Sequence, residues 1–442
     1  MRLRRFLAVL FALALLAAAC GDDDDGGDDA SGDSADEGGG GSGEDTGNVN
    51  VLSAVEPEEG DALQEIMDEQ LGDVEYTVEI EASGNFEEQV QIRAEGGTLD
   101  VILLPQPGGV LDQAESGNAV SLEDLGYDIA ELEGLFGEYF LSLGEFEGEH
   151  YGLPTNINLK SMIWYPKDDF DAAGYEIPET FDDLIALSDQ MVADGNTPWC
   201  VGFGSEGSTG WPATDWMEDI MLRTAGPDVY DQWVAHEIPF NDPAVVNAGE
   251  IFGQIMFGEG YVLGGAEQTP SIAFGDAPTP MFNDPPGCWL HRQASFINAF
   301  FPEDAEAGVD YDWFPFPAID QEGTLFAGEL AVAFRNAPEV KDFLDQFISQ
   351  EVQCAIGGDV RTSRISPNVE VGPDCYANDI LADASVVLTE GLEAGNARFD
   401  ASDLMPTQVG AGSFWTGMMD YVTGGPDALE PALDDIESTF PD

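Results

Sequence analysis

Over 442 residues the chain carries 87 Asp and Glu against 13 Lys and Arg, a formal charge of −74, with 43% hydrophobic and 10% aromatic residues. That surplus of carboxylates excludes unassisted binding to nucleic acid or anionic lipid as a main activity. It also disfavours phosphorylated or carboxylate ligands unless the few cations cluster in one place. The apolar content is that of a folded globular protein, and acidity of this degree is a solubility trait common in proteins facing high salt.

Arg2, Arg4 and Arg5 precede an apolar run from Phe6 to Leu16, and Ala17-Ala18-Ala19-Cys20 follows. A charged start, an apolar stretch too short for a comfortable membrane span and a small-residue cleavage site read as an export signal over residues 1–19. The Cys directly after the small residues makes the segment resemble a bacterial lipoprotein signal, with Cys20 as the lipidated first residue and the membrane anchor. Ala17 stands where Leu is commoner, and an ordinary signal peptide cut near Ala19 is the plainer alternative. Residues 20–48 are almost entirely Gly, Asp, Ser and Glu after Cys20, without an aromatic or branched aliphatic residue. Such a segment has nothing to bury, so a self-repelling acidic tether is expected. The exported chain keeps 10 basic and 87 acidic residues, a formal charge of −77.

About 390 residues remain, too many for one ordinary core and suited to two lobes. Residues 74–80 alternate at period two and read as a strand; 86–94 read as a helix, and 99–104 (LDVILL) as a buried strand. Residues 161–165 are a further strand. Residues 180–193 are an amphipathic helix opened by Thr180 with Asp183 in a capping arrangement and closed before Gly195. Helices are also expected over 215–224, 338–349, 414–422 and 428–440. This alternation implies α/β lobes whose sheets are covered by helices.

Four cysteines follow Cys20: Cys200, Cys288, Cys354 and Cys375. An even number in an exported chain suggests two disulfides with three connectivities open, of which Cys200–Cys288 with Cys354–Cys375 is favoured because the latter closes a short local loop. No CxxC occurs, and His150, His236 and His291 lack helical ligand spacing, so no metal is expected. There is no GxGxxG after a strand, no GxxxxGK[ST], no HExxH and no GxSxG, so neither a cofactor nor catalysis is expected. Carboxylate pairs are too abundant for any one to suggest a glycosidase.

Aromatics are more informative. All eight Trp lie between Trp164 and Trp415, several beside turn residues: Trp199, Trp211, Trp289 and Trp415. A flat indole face bordered by polar groups matches a sugar ring, which has apolar C–H faces and a hydroxyl rim. Trp199 adjoins Cys200 and reads as structural, and Trp216 shares a helix face with Ile220 and reads as core. Trp211 and Trp415 are the candidate stacking platforms.

The segments YGLPTNINLKSMIWYPKDDFDAAGYEIPETFDDL from Tyr151, TPWCVGFGSEGSTGWPATDWMEDIMLRTAGPDVYDQW from Thr197, CWLHRQASFINAFFP from Cys288 and MPTQVGAGSFWTGMMDYVTGG from Met405 carry a resemblance. From about Val49 onward the chain resembles extracellular solute-binding proteins of ABC sugar importers, of the maltose-binding type, and most of all their α-glucoside-binding members. The resemblance implies a two-lobed α/β fold of the periplasmic-binding-protein kind (type II), with sugar held between lobes that close by hinge motion. It implies crossovers near 155–161, 314–318 and 361–368. The first lobe then takes 49–157 and 317–362, and the second 158–316 and 363–442.

The sugar site it implies draws on Gln106, Asn156, Asn158, Lys160, Trp211, Asp215, Trp289, Arg292, Arg364 and Trp415. Gln106 replaces an acidic residue frequent on that first-lobe loop. Lys160, Arg292, Arg361 and Arg364 are equally readable as partners of local carboxylates, and Asp215 as a helix cap. The expected partners are a neutral oligosaccharide and the permease subunits of an ABC transporter, with the chain itself a monomer. A surface-anchored glycoside hydrolase and a sugar-binding adhesin are the alternatives.

Overall fold

The computed structural model describes residues 47–441 apart from 73. The segment expected to be an export signal, Cys20 and most of the segment expected to be a tether lie outside the described residues. The described residues fall in one compact unit, and among them no helix is long and apolar enough to cross a membrane.

Among the described residues eleven strands follow in chain order: β1 (Asn48–Ser53), β2 (Thr77–Ala82), β3 (Val101–Leu104), β4 (Glu145–Phe146), β5 (Glu149–His150), β6 (Leu153–Leu159), β7 (Met162–Pro166), β8 (His291–Arg292), β9 (Tyr311–Pro315), β10 (Thr324–Ala333) and β11 (Ala397–Phe399). The main sheet runs β11-β10-β3-β1-β2, with β6 also on β10. β1 is parallel to β2 and β3, whereas β10 runs antiparallel to β3 and β6. Every residue of β10 is buried, as a central strand covered on both faces requires. A second sheet, β8-β7-β9, is antiparallel throughout.

Each sheet anchors a core. Val51, Leu103, Leu159, Phe326 and Phe343 belong to the first; Leu184, Trp199, Trp216, Trp233 and Phe414 belong to the second. The chain passes between them at Lys160–Ser161, after β6, and over 316–323, between β9 and β10. It passes a third time at Asp400, after β11. The third is corrected: residues 363–399 stay with the first lobe. Ile157 donates its N–H to Ile365 O at 2.9 Å, β11 pairs with β10, and Leu381, Ala384 and Leu388 of the helix Asp379–Ala394 enter the first core. An apolar helix face covers the nearest uncovered sheet. The main sheet and the helix that covers it thus draw on 48–159 and 324–399, and the second sheet on 162–166, 291–292 and 311–315.

Local signals translate unevenly. Thr180 and Asp183 form a reciprocal capping box at the start of the helix Phe181–Ala193. The helix expected from 215 begins four residues earlier, at Trp211, with Pro212 in its first turn, where a missing N–H costs nothing. Both disulfides, Cys200–Cys288 and Cys354–Cys375, are present, with Cα separations of 5.4 and 4.9 Å.

Candidate functional site

Between the two lobes lies a cleft of about 1040 Å³, counting the space open at its mouth. The first lobe builds its wall from the carboxyl ends of parallel strands, where open α/β sheets place ligands. Glu56 and Glu59 follow β1, Phe86 and Glu87 follow β2, and Gln106 follows β3; Asn156 and Asn158 come from β6, and Glu329 from β10. The second lobe contributes Lys160, Trp211, Phe296, Asp403 and Trp415.

The two tryptophans owe their placement to helix starts. Trp211 opens the helix Trp211–Ala225, and Trp415 opens Trp415–Gly424. Gly210 adopts φ +120°, and a Cβ there would stand 2.5 Å from Trp415 O. Only glycine lets the two helix starts meet and both indoles border one cleft. A π-helical turn over Gln408–Phe414 leads into Trp415, a rare geometry that recurs at functional sites. Trp211 is half-buried, edge-on to Phe274 at 5.1 Å, with Lys160 Nζ 5.3 Å from its ring centre. Trp415 is 4% exposed, and its indole Nε1 has no hydrogen-bond partner within the protein. Asn156 Oδ1 and Asn158 Oδ1 likewise lack partners. Buried polar atoms are nearly always paired, so three unpaired ones bordering one cleft, two from the first lobe and one from the second, mark where a ligand's donors and acceptors would belong.

Below the cleft floor sits a buried ionic network. Lys160 Nζ donates to Asp215 Oδ1 at 2.7 Å and Asp400 Oδ2 at 2.5 Å. Burial opposes the ammonium charge, but Asp215 and Asp400 outweigh it and hold the Lys160 pKa above the usual lysine range. Burial pushes Asp215 up to about 7 against the pull of Lys160. Burial acts in the same sense on Asp400, yet Lys160 and hydrogen bonds from its neighbours hold it down to about 2. Burial, and then the Asp400 charge, push the Glu218 carboxyl well above the usual carboxylate range. Asp215, Glu218 and Asp400 lie close enough to group around a cation, and the Lys160 ammonium already takes that position. On the first lobe Arg364 joins two wall carboxylates, Nε to Glu59 at 2.6 Å and Nη1 to Glu329 at 2.5 Å. Burial, ahead of the opposing Arg364 charge, pushes Glu59 up to about 7.

Of the ten residues expected at the site, Gln106, Asn156, Asn158, Lys160, Trp211 and Trp415 line the cleft. The other four do not. Asp215 is fully buried between Lys160 and Arg292, and the helix N-cap position belongs to Gly210. Arg292 is spent on Asp215 and Asp219, and Trp289 packs in the second core edge-on to Tyr175 at 5.2 Å. Arg364 stands behind the wall and orients Glu59 and Glu329. Charge balance explains three of these: in so acidic a chain, buried cations are consumed by carboxylates. Glu59, Glu329, Asp403 and Phe296 were not expected. Phe296 lies in the segment from Cys288 that carries the resemblance, but nothing separates the three carboxylates from dozens of others in the sequence.

Residues 53–353 match the family of bacterial extracellular solute-binding proteins. The alpha-glucosides-binding periplasmic protein of Rhizobium meliloti is 42% identical over 301 residues, 65% of this chain and 64% of its own length. The osmoprotective compounds-binding protein of Synechocystis is 40% identical over 336 residues, 75% of this chain and 77% of its own length. Among solved structures, a bacterial solute receptor with a substrate preference for β-D-galactopyranose superposes with a TM-score of 0.75 at 17% identity, covering 88% of this chain and 97% of that one. At that identity the likeness speaks for the fold, and the fold agrees with the two lobes and the cleft between them. The chain belongs to the bacterial extracellular solute-binding protein family.

Proposed function

We propose that this chain captures a neutral sugar, an α-glucoside such as maltose, sucrose or trehalose, in the interlobe cleft. It hands the sugar to the permease of an ABC importer, outside the cytoplasmic membrane and tethered to it through a lipid on Cys20. The observation that carries this reading is the pairing of two indoles with unpaired buried polar atoms, Asn156 Oδ1, Asn158 Oδ1 and Trp415 Nε1, around one cleft. A sugar ring supplies a C–H face to the first and hydroxyls to the second. The carboxylate-rich lining supports a neutral ligand over an anionic one, and the name of the Rhizobium relative supports an α-glucoside.

A binder needs no catalytic group, and the family's members bind solutes. Calorimetric titration with maltose, sucrose and trehalose, followed by chromatography of the mixture, tests the proposal. Saturable heat with intact sugar is expected. Release of glucose points to a hydrolase, and silence toward all three rejects the α-glucoside.

A further inference from the structure

The two disulfides sit in different surroundings. Cys200 and Cys288 are 1% and 0% exposed. Cys354 and Cys375 are each half-buried, one near the end of the helix Gln350–Gly357 and the other in the short turn Pro373–Cys375. Exchange with a thiol in solution depends on access to the sulfurs, so Cys354–Cys375 is the bond open to it.

The loop that this bond closes, with a sequence separation of 21, carries part of the cleft. Thr362 lines the cleft, and Arg364 behind the wall joins the wall carboxylates Glu59 and Glu329. Between them Ser363 adopts φ +46°, a left-handed conformation that is unfavourable for a residue with a side chain and persists only where the surroundings impose it. The turn hangs from the helix end: Thr362 donates Oγ1 to Ile356 O at 2.7 Å, and Ser366 donates Oγ to Gln353 Oε1 at 2.7 Å. The helix end in turn rests on the segment of the second cysteine. Ala377 donates its N–H to Gly357 O at 2.9 Å, and a Cβ at Gly358 would stand 3.2 Å from Cys354 O and 3.3 Å from Cys375 O. The cross-link therefore lies at the base from which a strained, cleft-forming turn is suspended.

We propose that Cys354–Cys375 is a reducible clasp that sets the affinity of the cleft. Closed, it holds Thr362 in the wall and Arg364 behind it. Opening requires a dithiol: one of its thiolates attacks a sulfur, the S–S bond breaks and a mixed disulfide forms. The second thiol then closes on that intermediate, leaving the dithiol as a cyclic disulfide and its two electrons and two protons on Cys354 and Cys375 as thiols. The freed turn relaxes from its left-handed conformation, and Glu59 and Glu329 lose the guanidinium they share. Fewer molecules then hold a competent wall, and apparent affinity falls by that fraction. The proposal goes beyond the sugar reading and rests on it for one of its two readouts.

The test compares the full chain, oxidised, with the same protein treated with dithiothreitol under native conditions. Alkylation and peptide mapping of a sample should find Cys354 and Cys375 labelled and Cys200–Cys288 intact. In calorimetry the reduced protein should bind whichever of maltose, sucrose and trehalose binds best about tenfold more weakly, and reoxidation should restore the affinity. Amide hydrogen exchange over 359–365 should quicken on reduction, while the helix Phe181–Ala193 keeps its protection. The Cys354→Ser, Cys375→Ser double variant should match the reduced protein; if melting curves show it unfolded, the reduced wild type decides. Reduced protein that melts lower yet binds within about twofold of the oxidised form assigns the bond to stability alone and overturns the proposal, as does reduction of Cys200–Cys288 first. Oxidised protein silent toward all three disaccharides overturns the sugar reading instead. The clasp is then decided by exchange over 359–365, and unchanged exchange overturns it.

Discussion

At the scale of single residues, the tryptophans divide by what surrounds them. Trp199 is fully buried, donates Nε1 to Ser188 Oγ at 3.1 Å and packs edge-on to Trp216 at 5.2 Å. Its adjacency to Cys200 in the sequence already pointed to a structural role. Trp211 and Trp415 line the cleft, and each Trp→Ala change should cost about 2–3 kcal/mol of sugar affinity, from lost stacking and lost apolar burial. Because Trp415 is 4% exposed, its removal should also lower the melting temperature, whereas half-buried Trp211 should affect binding more than stability. Trp199→Ala should do the reverse, destabilising by about 3–5 kcal/mol with a smaller change in affinity. Titration calorimetry paired with melting curves on the three variants separates these outcomes. The aromatics were legible because Trp is scarce and its chemistry specific. Asp403, Glu59 and Glu329 were not, because a carboxylate carries no information in a chain where acidic residues are everywhere.

Among the elements, one helix organises the hinge. Along Trp211–Ala225 the residues Asp215, Glu218, Asp219 and Arg223 form one polar stripe, as helical spacing of three and four dictates. Asp215 holds Lys160, and Asp219 accepts from Ser161 Oγ at 2.9 Å, at the first passage between lobes. Arg223 donates to Phe316 O and Gly323 O at the second, and Glu218 accepts from Ala401 and Ser402 at the third. The same helix carries Trp211 at its tip, so the cleft wall and all three passages share one rigid body. The pattern of this helix was readable from its apolar spacing, but its polar stripe acquires meaning only from segments far away in sequence. The third passage was misplaced for the same reason: the helix Asp379–Ala394 is amphipathic wherever it docks, and only the sheet decides which lobe receives it.

A second element contact sets how closely the lobes approach. Gly108, in the first turn of the helix Pro107–Glu115, faces the second lobe so tightly that a Cβ would stand 2.2 Å from Met405 O. Backbone cannot yield cheaply at that distance. Gly108→Ala should wedge the lobes apart and lower sugar affinity about tenfold, a loss of about 1.4 kcal/mol. Small-angle scattering in saturating sugar should report a larger radius of gyration than wild type. A variant that binds and compacts like wild type removes this contact from the closing mechanism.

For the whole molecule, the two lobes and the polar, aromatic cleft between them form a fold that was legible almost entirely from strand–helix alternation and the resemblance of a few segments. Both disulfide pairings follow the favoured connectivity because cysteines brought within one lobe find each other. Attachment belongs to this scale too. On the proposed reading, a lipid on Cys20 and the acidic segment after it would keep the ligand-loaded domain near a permease at high effective concentration. Cys20→Ala should release the protein into the soluble fraction of cells that otherwise retain it in membranes, as fractionation and mass spectrometry of the N-terminus would record. Retention of the variant in the membrane would contradict the anchor.

The most direct test of the whole account is a crystal structure grown with the disaccharide that gives the strongest calorimetric signal. The account expects one sugar ring lying on Trp415 or Trp211, with hydroxyls bonded to Asn156, Asn158 and Asp403 and both lobes in contact with the ligand. Ordered sugar bound outside the cleft, or a cleft without sugar at saturating concentration, would contradict it.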